Sequence, residues 1–341
     1  CRCPKWVDTY IFIVQIGFFN YMKSLPAISA QIDEKIINKI IQKKFALLSS
    51  YYYSFMSNWL IRAYKRYNDI DKFIIIIYLI HKNLIFYRKN GLVIDYETFY
   101  KERTLEIEKI NISDISNDLK IPKESVRRKV LDLQKKGAIK KIGKKIFVDR
   151  SAFLNAKATD TLKELTILLN EFSQILKEEK VIDNIFQLEE INKSIKKNFS
   201  FCLYQLNKFL FIYLNRWRQE MPDLEILTIA MLVVLNATEN KNFKPSKLSI
   251  ISYREEIMGS DTKGVNAMSI SDITGIPRPT VVRKLKWLID KKFLTINDKK
   301  LISLDAKDSA FIKTKNLQNQ NMLSLSNFIY RLFNQIKIIN S

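Results

Sequence analysis

Two arginines, Arg128 and Arg283, stand 155 residues apart at matching places in two copies of one short pattern. A guanidinium keeps its charge and presents a rigid fork of donors. It therefore suits paired acceptors such as a carboxylate, a phosphate or the O6/N7 edge of guanine. Lys123, Ser125 and Arg127 flank the first arginine; Arg278, Thr280, Lys284 and Lys286 flank the second. Farther along come Lys144 and Lys145 in the first copy and Lys299 and Lys300 in the second. Nearly all of these are cationic donors. The chemistry they offer is capture of an anionic, acceptor-rich surface, not the making of bonds.

Bond-making chemistry has little support elsewhere. The chain has one histidine, His81, so a Ser-His-Asp triad would depend on that residue alone and HExxH is excluded. Three cysteines (Cys1, Cys3, Cys202) form no CxxC pair, which leaves a Cys/His zinc site short of ligands and a disulfide framework without material. Seven glycines make no GxGxxG and no phosphate-cradling loop. No enzyme activity, cofactor or metal is expected. His81 follows the apolar run 73–80 and reads as a structural residue.

The formal charge is +22, from 57 basic and 35 acidic residues, which points to an anionic partner. A chain crowded with Ile, Lys and Asn carries lysine everywhere, so the placement of the charge says more than its total. The apolar fraction of 47% is that of a folded protein. Residues 6–22 are apolar but short for a membrane span and contain Asp8. Residues 1–21 read either as an apolar leader or as sequence upstream of a start at Met22. A membrane partner is not expected, and the cytoplasm is the default compartment.

The repeat organises the rest. Residues 116–130 (SNDLKIPKESVRRKV) match 271–285 (SDITGIPRPTVVRKL) at an offset of 155. Ile121–Pro122 meets Ile276–Pro277, and Ser116 meets Ser271. Upstream, the offset becomes 154: Asp69-Ile-Asp71 meets Asp223-Leu-Glu225, and Arg62 meets Arg216. The duplicated unit is thus about 125 residues long. Apolar periodicity predicts helices over 46–67, 71–89, 199–219 and 223–238, with a further helical stripe through Ile32–Ile41. Stripes over 156–179 and 323–339 suit core packing or a contact for a further homodimer.

In the second copy, Ser269 is expected to cap a short helix that Gly275 ends with a positive φ. Ser271 is small where two helices would cross closely. Pro277 suits the first turn of a second helix running to about Lys291. The segment FLTINDKKLISL reads as a hairpin turning at Asn297-Asp298. The first copy repeats the order: ISNDL, KIP, KESVRRKVLDLQKKG, then AIKKIGKKIFVD with Gly143 in the turn. On the second helices, Val126, Val130, Leu133 and Val281, Leu285, Leu288 point inward. Arg128 and Arg283 point outward, beside Glu124, Arg127, Leu131 and Pro279, Val282, Lys286. Trp287 reads as core beneath the hairpin or as a partly exposed contact.

This text resembles the DNA-binding segments of the MarR and IclR families of transcription regulators, most closely in ISDITGIPRPTVVRKLKWLIDKKFL. The likeness covers about 40 residues per copy and departs from the family in placing two copies in one chain. It implies a mainly α fold with small β-hairpin wings: two tandem winged helix-turn-helix domains with flanking helices in a pseudo-two-fold arrangement. The expected division is 1–21 leader, 22–150 first repeat, 151–180 connecting helix, 181–306 second repeat and 307–341 C-terminal helix, each half a whole domain. The resemblance implies sequence-specific binding of double-stranded DNA by a single-chain pseudo-dimer that regulates transcription. The thirteen side chains of the opening paragraph would supply the contacts, and an effector of unknown identity would modulate them. The alternatives are a plasmid- or phage-type replication initiator and a winged-helix scaffold that binds proteins.

Overall fold

A computed structural model of the 341-residue chain describes residues 32–143, 145–152, 158–239, 248–260, 264–304 and 309–340. The segment 1–21 and Lys144 lie outside them. The fold is mainly helical with two small antiparallel sheets. The first half contains α1 (Glu34–Tyr67), α2 (Ile70–Lys89), α3 (Tyr96–Lys101), β1 (Thr104–Ile107), α4 (Ile112–Leu119), α5 (Lys123–Lys135), β2 (Ile139–Ile142) and β3 (Lys145–Asp149). Next come α6 (Thr159–Glu178), α7 (Leu188–Lys197), α8 (Phe199–Glu220) and α9 (Leu224–Thr238). The chain finishes with α10 (Ile250–Ser260), α11 (Ala267–Thr274), α12 (Arg278–Asp290), β4 (Leu294–Ile296), β5 (Ile302–Leu304) and α13 (Ser309–Asn340).

The two halves share their breaks as well as their helices. The Ile32–Ile41 stripe and the predicted helix from residue 46 form one element, α1, kinked at Lys44 (φ −125°, ψ 27°). At the position 154 residues on, Asn198 (φ −111°, ψ 40°) separates α7 from α8. Lys44 is buried at the kink, with Nζ 2.6 Å from Glu179 and 3.2 Å from Glu178 of α6. Burial opposes its charge, but the two carboxylates outweigh that and raise its pKa. The next helix in each half starts on an aspartate: Asp69 caps α2 through Lys72 N, and Asp223 caps α9 through Ile226 N.

Packing runs crosswise. Helix α9 lies on α1, and α2 lies on α8 as well as on α1. Helix α10 lies on α1, and α3 on α8. The flanking helices follow suit, α6 against α1 and α13 against both α8 and α1. The apolar stripes of 156–179 and 323–339 thus face this body: Leu165, Leu169, Phe172, Leu325, Phe328 and Phe333 are all buried. The buried side chains form one continuous cluster. The expectation that each half is a whole domain is therefore corrected. Helices from both repeats bury one another, because α2 and α9 are apolar over too much of their circumference to be covered by one neighbour.

Among the described residues, no single helix is long and apolar enough to cross a membrane. The pair α8 and α9 meets that measure only when joined across a 100° bend, and its apolar side chains belong to the core. His81 is buried between α2 and α8, stacked on Tyr204 with ring centroids 4.9 Å apart and edge-on to Phe211. Burial, aided by Lys82 and Lys208, lowers its pKa to about 4, so it is neutral at pH 7.

Candidate nucleic-acid interface

Two helix–turn–helix–hairpin units sit on this body, 112–149 and 267–304, and the same local contacts build both. The first helices are capped by asparagine. Asn111 Oδ1 accepts from Ser113 N at 3.0 Å and Asn266 Oδ1 accepts from Ser269 N at 2.8 Å. The expected cap, Ser269, is instead the residue whose N–H is capped. At the turns, Lys120 (φ 55°) and Gly275 (φ 75°) both adopt the left-handed conformation. The glycine is unstrained there, whereas the lysine in the first unit carries a Cβ penalty. Ser116 Oγ donates to Ile121 O, and Ser271 Oγ to Ile276 O, both at 2.7 Å. The two serines do more than permit a close crossing: each hydroxyl ties the first helix to the turn. Pro122 and Pro277 each take the residue just before the second helix, with nearly identical φ of −53° and −54°.

The second helices, α5 and α12, bury Val126, Val130, Leu133 and Val281, Leu285, Leu288 as expected. A matched ion pair fixes their rotation. Lys129 Nζ meets the carboxylates of Asp69 and Asp71 at the start of α2. Lys284 Nζ lies 2.5 Å from Asp223 and 2.9 Å from Glu225 at the start of α9. Lys284 was expected among the contact residues, and the structure corrects this. Its side chain is only 6% exposed and is spent on the body, because it lies one residue, about 100°, from the outward Arg283. Each junction also meets the opposite half. Arg218 of α8 pairs with Asp71, and the phenol of Tyr64 in α1 feels Glu225.

What faces outward is basic. Arg128, Arg283, Lys123, Arg278, Lys286, Lys299 and Lys300 are exposed and carry no ion pair among the described residues. Ser125 and Thr280 are half-buried in the first turns of α5 and α12. Arg127 is exposed but already bridged to Glu124, with Nε at 3.0 Å and Nη2 at 2.8 Å. Lys145 lies on β3, 3.0 Å from Glu106 of β1, and is partly neutralised. Trp287 is half-buried and stacks on Phe293 at 6.1 Å, so it is a wall of the hairpin junction.

Among the described residues, periodicity missed four elements: β1, α3, α7 and α10. Strand β1 adds a third strand to the first sheet, pairing Leu105 with Val148 in the order β1-β3-β2. The second sheet has two strands plus a single bridge from Val265 to Ile302. The TLEI segment alternates, which is the one signal that was present. Helices α3, α7 and α10 were also unmarked. The turn between β4 and β5 runs over Asn297–Leu301, where Asn297 Oδ1 accepts from Leu301 N and Lys300 is left-handed (φ 59°). Lys141, exposed on β2, is a further cation the motif reading passed over.

Matched hollows lie beneath the two units. One, of about 130 Å3, is lined by Tyr213, Leu227, Met231, Val234 and Tyr253 with Phe293 from the second hairpin. The other, of about 60 Å3, has Trp59, Phe73, Ile77, Ile80 and Phe99 at the corresponding places. Among the described residues, no group of three or more His, Cys, Asp or Glu side chains is placed to hold a metal ion. No protein-family model, no curated protein and no solved structure matches the chain.

Proposed function

We propose that the chain is a sequence-specific binder of double-stranded DNA that regulates transcription. In this reading it carries two winged helix-turn-helix heads, related by a pseudo-two-fold axis, on one shared helical body. One observation carries the reading: Arg128 and Arg283 project, unpaired and exposed, from helices whose rotation is set by the same lysine–carboxylate anchor. In such heads the second helix enters the major groove and arginine binds guanine through O6 and N7. Lys123, Arg278 and Lys286 border that face, and Lys299 and Lys300 stand at the hairpin tip, where phosphates would run. The outward face of both heads is predominantly basic, which favours DNA over a protein partner.

Selection of tight binders from a randomised duplex library tests this. The selected sites should hold two unlike half-sites, since α5 and α12 differ at their outward positions. Arg283→Ala should weaken binding to a selected duplex by about 1–3 kcal/mol while hardly changing binding to random duplex. A chain that captures no duplex at low salt, or selects only strict palindromes, is not the protein proposed here.

A further inference from the structure

Because the same anchors clamp α5 and α12, positions 155 residues apart present the same face, and their differences can be compared one by one. Lys129 and Lys284 hold matching carboxylates, and Ser116 and Ser271 tie matching turns. On the outward face, Arg128 and Arg283 are the shared element. The two positions beside them exchange character. Arg127 of the first head is matched by Val282, and Leu131 by Lys286. Val282 and Leu131 are each 51% exposed, apolar side chains set among cations.

An exposed Val or Leu beside an arginine gains nothing from phosphates or from the donor and acceptor atoms of bases. In the major groove the one apolar group on a base edge is the C5 methyl of thymine. Resting on the proposed DNA-binding role, the geometry points to Val282 and Leu131 as readers of thymine methyl groups. Each lies beside a guanine read by the shared arginine, at a different offset in the two half-sites. Leu131 lies three residues after Arg128, about 4.5 Å farther along the helix axis. Val282 lies one residue before Arg283, about 1.5 Å back and 100° around. The thymine therefore sits to opposite sides of the shared guanine, viewed along the recognition helix. Glu124 works in the same direction: by holding Arg127 against α5 it leaves Leu131 as the freer neighbour of Arg128 in the first head. Pro279 stands where that carboxylate would be in the second head, and Val282 replaces the arginine.

The test uses the full chain and a duplex selected as above, with single thymines replaced by deoxyuridine, which removes only the methyl group. One replacement in each half-site should weaken binding about fourfold, the weight of one buried methyl. Val282→Ala should abolish that sensitivity in one half-site and leave the other unchanged; Leu131→Ala should do the reverse. Replacing the guanine by 7-deazaguanine should weaken wild-type binding and leave the matching Arg128→Ala or Arg283→Ala variant unaffected. Both apolar residues are exposed, so an unchanged unfolding midpoint is expected and shows that the variants fold. Duplex binding that ignores every deoxyuridine, or a sensitivity that survives both alanine variants, overturns the inference and leaves the DNA-binding reading intact. Failure to bind any duplex at low salt overturns both.

Discussion

Asp132 and Trp287 occupy the same place in the two heads, yet opposite kinds of force hold them. In the first head Asp132 of α5 meets Lys72 of α2 at 2.5 Å, and the Lys72 hydrogen bond lowers its pKa despite some burial. In the second, Trp287 stacks on Phe293, and the residue matching Phe293 in the first head is Ala138. One junction is charged and small, the other aromatic and large. The deeper anchor, lysine to the acidic start of the support helix, is the same in both. The geometry of a head thus depends on a few buried ties that have not changed, while the surrounding contact is free to be ionic or apolar.

The largest effect should come from the shared anchor. Asp223→Ala removes a helix cap and one of two carboxylates that hold a nearly buried lysine. It should lower unfolding free energy by about 3 kcal/mol in denaturant titration. Asp69→Ala should cost about 2 kcal/mol, because Lys129 is more exposed than Lys284, 15% against 6%. Equal and negligible losses would show that the anchor is not what sets the heads.

The next contrast is between His81 and Leu235, which occupy matching positions on α2 and α9. The folded protein lowers the histidine pKa to about 4 from 6.5, so protons bind the unfolded chain more readily. Its contribution is fully present above about pH 6.5 and is lost as the pH falls toward 4. About 2 kcal/mol should disappear between neutral pH and pH 5. His81→Leu, which copies the other half, should flatten that dependence; if it does not, the acid sensitivity lies elsewhere.

The two junctions should differ in salt. Trp287→Ala should cost about 2 kcal/mol at any ionic strength. Asp132→Ala should cost about 1 kcal/mol or less, with the difference shrinking as salt screens the pair. The reverse ranking would break the comparison. The smallest effect is at the wings. On the proposed DNA-binding reading, Lys300→Ala should reduce the salt slope of duplex binding by about 0.9, one phosphate contact, and Lys145→Ala by less because Glu106 already neutralises that lysine.

The local units were legible in the sequence because short-range rules build them. Gly275, Pro277, the inward valines and leucines and the Asn297-Asp298 turn each act within a few residues. Three things were hidden. The cap of the second unit fell to Asn266, three residues before the expected Ser269. The role of Lys284 needed Asp223 and Glu225, some 60 residues away, to be brought beside it. The crosswise packing could not be read because an apolar stripe on α2 or α9 does not say which helix will cover it. Arg283 and Lys284 are adjacent cations in the text, and only the direction of the carboxylates separates a surface group from an anchor.

The crosswise body also bears on how the chain is made. Helices α1 and α2 leave the ribosome about 150 residues before α9 is complete, and at about 5–20 residues per second that interval is roughly 8–30 s. During it, the faces that α8 and α9 will cover remain wet, so the first head is born on an unfinished foundation. A nascent chain halted after residue 150 should therefore be a ready client for chaperones, and should be released from them only when the second repeat has emerged.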